Sequence, residues 1–561
     1  MAVGAEDVAG FVRTLARAEA ATAAKNWEEG ASLWGQVVDA NPVEGRFWSR
    51  LGEARFHAGA AREAVTAYER AFDLRDGYPA ETAYRIACCL ARLGETDRAI
   101  EWLETSLDLG YRHLEAARED ADLASLVDNE RFRQLFAAMD TANLSRDEGW
   151  RGDLRFLARE AKRRAYAPFR EVPEERFDAA VADIHDAIPN LTDGQILVRM
   201  AKLLRLLGDA HAYVAAPEDH PGLRRAIPVR FFRFEEGLFV VATEPAYESV
   251  LGAEVLAFGD TSAAEMIAAV EELIGADNEN AQWPKYLSTL SLTETATLHA
   301  LGMIPEADRV ALTVKKPGGE TATATIAGDP RWAESKVRDA FPCPADWRFY
   351  PEALDTPVPL YLKNAAANYW FEYLPDERVV YFQFNRVRND PVESLADFCA
   401  RLFAFIDDHP VDKLVLDLRW NSGGNTFLEM PLLHSLIANR KINRRGRFFV
   451  VVGRKTFSAA QNGATMIEMH TEAIFVGEPT GSSPTFVGES VEFTLPYSKV
   501  RANVSDLFWQ TGWPMDYRRW IAPTIYTPPT FAAYRANRDP AMEAILAYRE
   551  QLPSSSRWNG S

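Results

Sequence analysis

Apolar residues change their period along this chain, and the changes divide it into regions. Over residues 1–142 the spacing is helical, with apolar positions every three or four residues in short blocks parted by polar turns. Shifting the chain on itself by about 34 residues superposes Gly30, Ala64 and Ala99, then Trp34, Tyr68 and Leu103, then Val37, Ala71 and Ser106. Small residues at one position let paired helices approach, and large ones at the next fill the space between them. The stretch 120–139 reads as a terminal capping helix, and the unpatterned 144–152 as a linker. Residues 150–222 are helical again. Ile196, Leu197, Met200, Leu203, Leu204 and Leu207 form one face, Thr192 or Asp193 caps it, and Gly208 stops it. Over 223–330 the pattern turns to strands: 228–234 and 238–243 joined at Gly237, 251–258 before a helix over 263–274, then 310–315 and 321–326 around Gly318-Gly319. Residues 331–376, rich in Pro and aromatics, have no period and read as a connection. From 377 to 540 strand and helix alternate: 379–384, 395–406, 411–418, 448–452, 473–476. That alternation predicts a largely parallel sheet with helices packed on it. Residues 541–561 read as a C-terminal helix and tail. The fold class is therefore multidomain, α followed by α/β.

A chain of 561 residues exceeds one core. Its 62 basic and 81 acidic residues give a charge of −19, which argues against nucleic acid or an anionic membrane as partner. No apolar run reaches the roughly 18 residues of a membrane span. The first residues carry acids and lack a basic start before an apolar block, so the chain reads as cytoplasmic; export with a removed leader fits the same residues. Cys88 and Cys89 are adjacent on an expected helix, and Cys343 and Cys399 stand alone. None has disulfide-framework or metal-ligand spacing, so no cofactor or metal is expected.

The chemistry concentrates in 413–468. A buried strand runs into Asn421-Ser422-Gly423-Gly424, where two glycines free the backbone amides to face open space. A second strand, 448–452, leads through Gly453 to Ser458 at the start of a helix, where orphan N–H groups stabilise an anion. Both points lie beyond the carboxyl ends of strands, where open α/β sheets collect their active groups. Asp417 and Arg419 read as a structural pair anchoring the glycine loop, and Asn385 as a residue of the cleft. His434 and His470 fall on helices at apolar spacing and are expected in the core.

Three ordered motifs resemble the S41 serine peptidases, the C-terminal processing and tricorn-type proteases: Asp417 to Gly424, Thr456-Phe457-Ser458-Ala459-Ala460, and Val476 to Gly481. The resemblance implies a crotonase/ClpP-like core over 377–540 and a PDZ-like module over 223–330 that captures a substrate terminus by strand addition or serves as a spacer. The repeats of 1–142 resemble tetratricopeptide repeats, which either bind a peptide or partner protein or pack against the enzyme. On this resemblance Ser458 is the nucleophile. His211, in Leu207-Gly208-Asp209-Ala210-His211, is the general base, with His220 the weaker candidate. The amides of Gly423 or Gly424 and of Ala459 form the oxyanion hole. The processing branch uses a lysine in the loop that here reads Gly477 to Pro484 and holds none; Lys455 is the remaining, disfavoured lysine. Asp516 stands near the position of the family's glutamate as third triad member, with Glu489 or Glu492 as alternatives, and Gln461 replaces another common glutamate. The implied activity is peptide-bond hydrolysis on a peptide or protein substrate, by a chain able to form homo-oligomers. Two other readings compete: an inactive scaffold whose repeats bind a partner, and a thioester hydrolase or lyase, for which the chain shows no basic, Gly-rich phosphate loop.

Overall fold

The computed structural model describes residues 5–109, 111, 113–135, 144–218, 220, 222–280, 292–334 and 342–550. The chain divides into two compact units, residues 1–145 with 162–164 and residues 146–161 with 165–561.

In the first unit, helices α1 (Ala5–Ala23), α2 (Trp27–Ala40), α3 (Gly45–His57), α4 (Ala61–Asp73), α5 (Pro79–Arg92) and α6 (Thr96–Asp108) follow one another through short turns. The superposed small and large positions meet as their sizes require. A methyl group on Gly52 of α3 would lie 2.7 Å from the ring of Tyr68 of α4, and one on Gly30 of α2 would lie 3.6 Å from Ala54. The expected capping helix over 120–139 is instead a 3-10 turn, Ala121–Leu126, and a short helix, Glu130–Leu135. Two side-chain caps explain the break: Asp120 accepts from the N–H of Asp122, and Asn129 from that of Arg131. Residues 136–139 lie outside the described residues.

The second unit starts with α7 (Arg146–Arg164), whose last residues, 162–164, are counted with the first, so residues 146–152 of the expected linker are helical. Then come α8 (Glu174–Ala187), α9 (Asp193–Arg205) and β1 (Tyr213–Ala215). Thr192 caps α9 in a reciprocal box with Gln195, and Gly208 beyond it takes φ +63°. An antiparallel sheet follows: β2 (Val229–Phe234), β3 (Gly237–Thr243) and β4 (Glu254–Phe258), then α10 (Ala263–Glu271), then β5 (Arg309–Lys315) and β6 (Thr321–Ala327), in the order β2-β3-β4-β5-β6. The C-terminal part holds β7 (Tyr369–Leu374), β8 (Val379–Phe384), α11 (Leu395–Asp408), β9 (Lys413–Asp417), α12 (Met430–Ala438), β10 (Phe448–Val452), α13 (Ala459–His470) and β11 (Ile474–Gly477). After these come β12 (Thr485–Gly488), β13 (Val491–Thr494), β14 (Arg501–Val504), β15 (Leu507–Gln510), β16 (Ile525–Tyr526) and α14 (Pro540–Ala547). Six of the strands form a sheet ordered β16-β11-β10-β9-β8-β7, parallel except for the edge strand β7.

The structure departs from the expected pattern in four respects. Strand β7 lies inside the stretch expected as a connection; its sequence, Tyr-Trp-Phe-Glu-Tyr-Leu, is half-buried nearly throughout and carries no alternation. Strands β12 to β15 form two antiparallel pairings after β11, β13 with β14 and β12 with β15. The regions 150–222 and 223–330 do not form separate cores: Leu197, Phe231 and Val255 share one apolar cluster with Phe493 and Val504 of the β13–β14 hairpin. His434 and His470 are exposed rather than in the core, each ring taking the solvent side of its helix. Among the described residues, no helix is long and apolar enough to cross a membrane.

Candidate active site

Strand β10 ends at Val452, and the five residues before Ser458 are pinned to the loop after β9. Thr456 is buried; its hydroxyl donates to Leu418 O (2.9 Å) and accepts from Gly453 N (3.1 Å), while Phe457 N donates to Asn421 O (3.2 Å). That turn forces Ser458 to φ 56° and ψ −126°, a left-handed conformation costing a β-carbon residue about 1–3 kcal/mol. Helix α13 begins at the next residue. The backbone N–H of Ala459, in its first turn, donates to no described residue.

The glycine loop packs directly on this turn. Gly423 has φ +104°, and a methyl group there would sit 2.8 Å from Ser458 Cβ and 2.9 Å from Ala459 N. Gly424 has φ +143°, with Val387 O where its side chain would be. Val387 holds the loop from the other side: its N–H donates to Gly423 O (3.0 Å) and its carbonyl accepts from Asn425 N (2.9 Å). Gly423 N–H donates to Asn421 Oδ1 (2.9 Å), whereas Gly424 N–H donates to no described residue. Below the loop, Arg419 bridges Asp417 and Asp539, with Nη1 and Nη2 at 3.0 and 2.9 Å from the Asp539 carboxylate, and Asp539 caps α14. The expected structural pair is thus part of a triad tying β9 to the C-terminal helix.

His211 arrives from far upstream. Its Nε2 lies 3.2 Å from Ser458 Oγ across 247 residues of sequence. Strand β1, two residues on, pairs antiparallel with β14, placing Tyr213 opposite Asn503. Asn503 Nδ2 donates to His211 O (2.9 Å), and His211 N–H donates to Asp209 Oδ1 (2.8 Å). Asp209, 1% exposed, also accepts from Ser505 N (2.7 Å) and Ser505 Oγ (2.9 Å). Burial pushes the Asp209 carboxyl up, against the lowering pull of these hydrogen bonds. The imidazole packs against Phe457 (4.6 Å between centroids) and Phe486 of β12 (6.1 Å).

The other expected residues fall as follows. Asp516 is not brought to His211: its carboxylate accepts from Arg518 Nε (2.9 Å) and Nη2 (2.8 Å), and this guanidinium holds it below the usual carboxylate range. Arg518 sits two residues away and captures the carboxylate within its own turn. Glu492 accepts from the Tyr213 hydroxyl (2.7 Å), and Glu489 occupies a left-handed position, φ 79°. His220 closes a local turn onto Pro217 O. Gln461 is buried in α13 and donates to Thr465 Oγ1 (3.2 Å). Lys455 lines a cavity of about 720 Å³ with Asn385, Ser422 and Phe457; burial, then the charge of Arg386, pushes its amine down to about 8. Three positioning residues escaped the sequence reading. Asp209 was visible as an Asp two residues before a His, but nothing in the chain pairs it with Ser505 or His211 with Asn503.

No family model and no curated protein matches the sequence. Among solved structures the chain is similar to mature CPAF complexed with lactacystin, at 13% identity and TM-score 0.47, covering 71% of this chain and 97% of that one. It is similar to a photosystem II D1 C-terminal processing protease at 13% identity and TM-score 0.34, covering 72% and 97%. It is also similar to a tricorn protease, at 13% identity and TM-score 0.33, covering 72% of this chain and 36% of that one.

Proposed function

We propose that this protein is a serine peptidase in which Ser458 attacks a peptide carbonyl and His211 carries the proton. The observation that supports it best is the 3.2 Å approach of His211 Nε2 to Ser458 Oγ at a helix start. A serine hydroxyl needs a base within hydrogen-bond reach, and this separation supplies one. The imidazole takes the hydroxyl proton as Oγ bonds to the carbonyl carbon, then returns it to the leaving amine. The developing oxyanion is held by the free N–H of Ala459, joined by that of Gly424; Gly423 N–H is committed to Asn421. Each such donor contributes about 3 kcal/mol to the transition state. His211 is oriented through its backbone, by Asp209 and Asn503, and through its ring, by Phe457 and Phe486. Asp516 takes no part in this reading. The helix pairs of 5–108 act as tetratricopeptide-like repeats offering a groove for peptide or partner protein, and the antiparallel sheet of 229–327 acts as a PDZ-like module.

Fluorophosphonate labelling of the full chain tests the assignment. A covalent adduct on Ser458, abolished in Ser458→Ala and lost by at least about a thousand-fold in rate in His211→Ala, is expected. An unlabelled wild-type chain that unfolds cooperatively would instead mark an inert scaffold.

A further inference from the structure

The cavity that reaches Ser422 and Phe457 has a lining of one dominant sign. Among the described residues, its lining holds eight basic side chains and two acidic ones, Glu478 and Asp539, in a chain whose overall charge is −19. Both acids are already bound, Asp539 to Arg419 and Glu478 to Arg454. Arg386 and Arg388 form no ion pair with any described residue. They flank Val387, whose backbone is fixed on both edges by Gly423 and Asn425, so the two cations are set beside the glycine loop by the main chain itself. Lys455 precedes Ser458 by three residues; burial first, and then the charge of Arg386, lowers its pKa. Like charges gathered in a cavity repel one another until an anion enters between them.

A neutral group points the same way. Asn385, 3% exposed, lines this cavity; its Nδ2 donates to Ala365 O (3.2 Å) and Ala367 O (2.9 Å). Those two carbonyls settle which atom is the oxygen, and Oδ1 is buried with no partner among the described residues. A buried acceptor without a donor costs free energy until a ligand N–H satisfies it.

We infer that this cavity is a substrate subsite for a carboxylate carried by the peptide, with Arg386, Arg388 and Lys455 around the anion and Asn385 Oδ1 accepting a neighbouring peptide N–H. The inference rests on the peptidase reading only for the identity of the ligand as a peptide. The carboxylate comes either from an Asp or Glu side chain or from a free C-terminus.

Binding rather than turnover tests it, using the full-length Ser458→Ala protein and fluorescence anisotropy at low salt. The probes are positional libraries of short dye-labelled peptides in matched pairs: Glu against Gln at one position with an amidated end, and a free against an amidated end without acids. One pair is expected to favour its carboxylate member by about ten-fold or more. Preference in the first pair assigns a side chain, and in the second the terminus. Arg386→Gln with Arg388→Gln should erase the preference, and Arg388→Glu should turn it toward Lys-containing peptides; Arg388 is exposed, so its variants test the idea without loss of fold. Equal binding within both pairs, no peptide binding at all, or a preference that survives the double variant overturns the subsite. Carboxylate-dependent binding by a chain that fluorophosphonate cannot label would overturn the peptidase reading and leave the subsite standing.

Discussion

The two sides of the candidate site are built in opposite ways. Ser458 is placed by a strand, a turn and a helix adjacent in sequence, with a loop from the neighbouring strand β9 packed on them. His211 is placed by Asn503, 292 residues away, and by Asp209, which is itself held by Ser505 at a separation of 296 residues, both partners following the main sheet on one hairpin. Strain sits on the first side, where the backbone of Ser458 is left-handed. Buried charge sits on the second, where Asp209 is fully enclosed. The comparison teaches that a nucleophile is held by local geometry that any copy of the turn reproduces. Its base depends on pairing between remote segments, and is the side that mutation loosens first.

Substitution of either side in turn sharpens this contrast. After loss of Ser458 or His211 themselves, the largest effect is expected from Gly423→Ala. The new methyl group would meet Ser458 Cβ at 2.8 Å and occupy φ +104°, so activity and labelling should fall by about a hundred-fold or more. Full activity in this variant would mean that the loop does not press on the nucleophile. Asp209→Asn comes next, because the amide turns a donor toward Ser505, which itself donates to that position. A fall in kcat of roughly ten- to a hundred-fold with KM little changed is expected, together with about 2 kcal/mol of lost stability. A change confined to stability would make Asp209 structural alone.

A smaller effect, in stability, belongs to the nucleophile side. Glu429 is 3% exposed, its Oε2 has no hydrogen-bond partner among the described residues, and its carboxyl lies where a side chain on Gly463 of α13 would go. Burial pushes its pKa well above the ordinary value of 4.5. Above that ordinary value the folded chain keeps a proton that the unfolded chain has lost. Stability therefore falls as pH rises from there toward the folded pKa, by at most about 1.4 kcal/mol per pH unit. Glu429→Gln should flatten this slope in denaturant titrations at pH 5 and pH 8; an unchanged slope would place the proton elsewhere. The least effect is expected of Asp516→Asn, within about two-fold in kcat/KM, because its carboxylate is engaged by Arg518 alone among the described residues, through side chain and N–H, and Arg518 keeps Glu468 as a second partner. A collapse of activity there would return Asp516 to the triad.

Legibility in the sequence followed the range of the interactions. The strand ending at Asp417, the glycine pair, the strand Phe448–Val452 and the helix after Ser458 were all visible, since each is announced by an apolar run and a breaker a few residues apart. The hairpins 229–243 and 309–327 were visible for the same reason, through their alternation and turn residues. Strand β7 was not, because its aromatics are half-buried without alternation. The break after Leu126 was missed because two caps outweighed a continuous helical pattern. The third triad position misled because distance along the chain is blind to Arg518, which captures Asp516 first.

What the amino-acid order determined by itself is the chemistry on offer: a serine at a helix start, two adjacent glycines able to take positive φ, and a histidine just past a glycine-terminated helix. Only the tertiary structure decided that the histidine meets the serine, that Gly424 and Ala459 keep their amides free, and that Arg386, Arg388 and Lys455 share one cavity. The physical reason is that backbone preference acts over a few residues. The pairing of β1 with β14, the enclosure of Asp209 and the gathering of like charges exist only once distant segments are packed together.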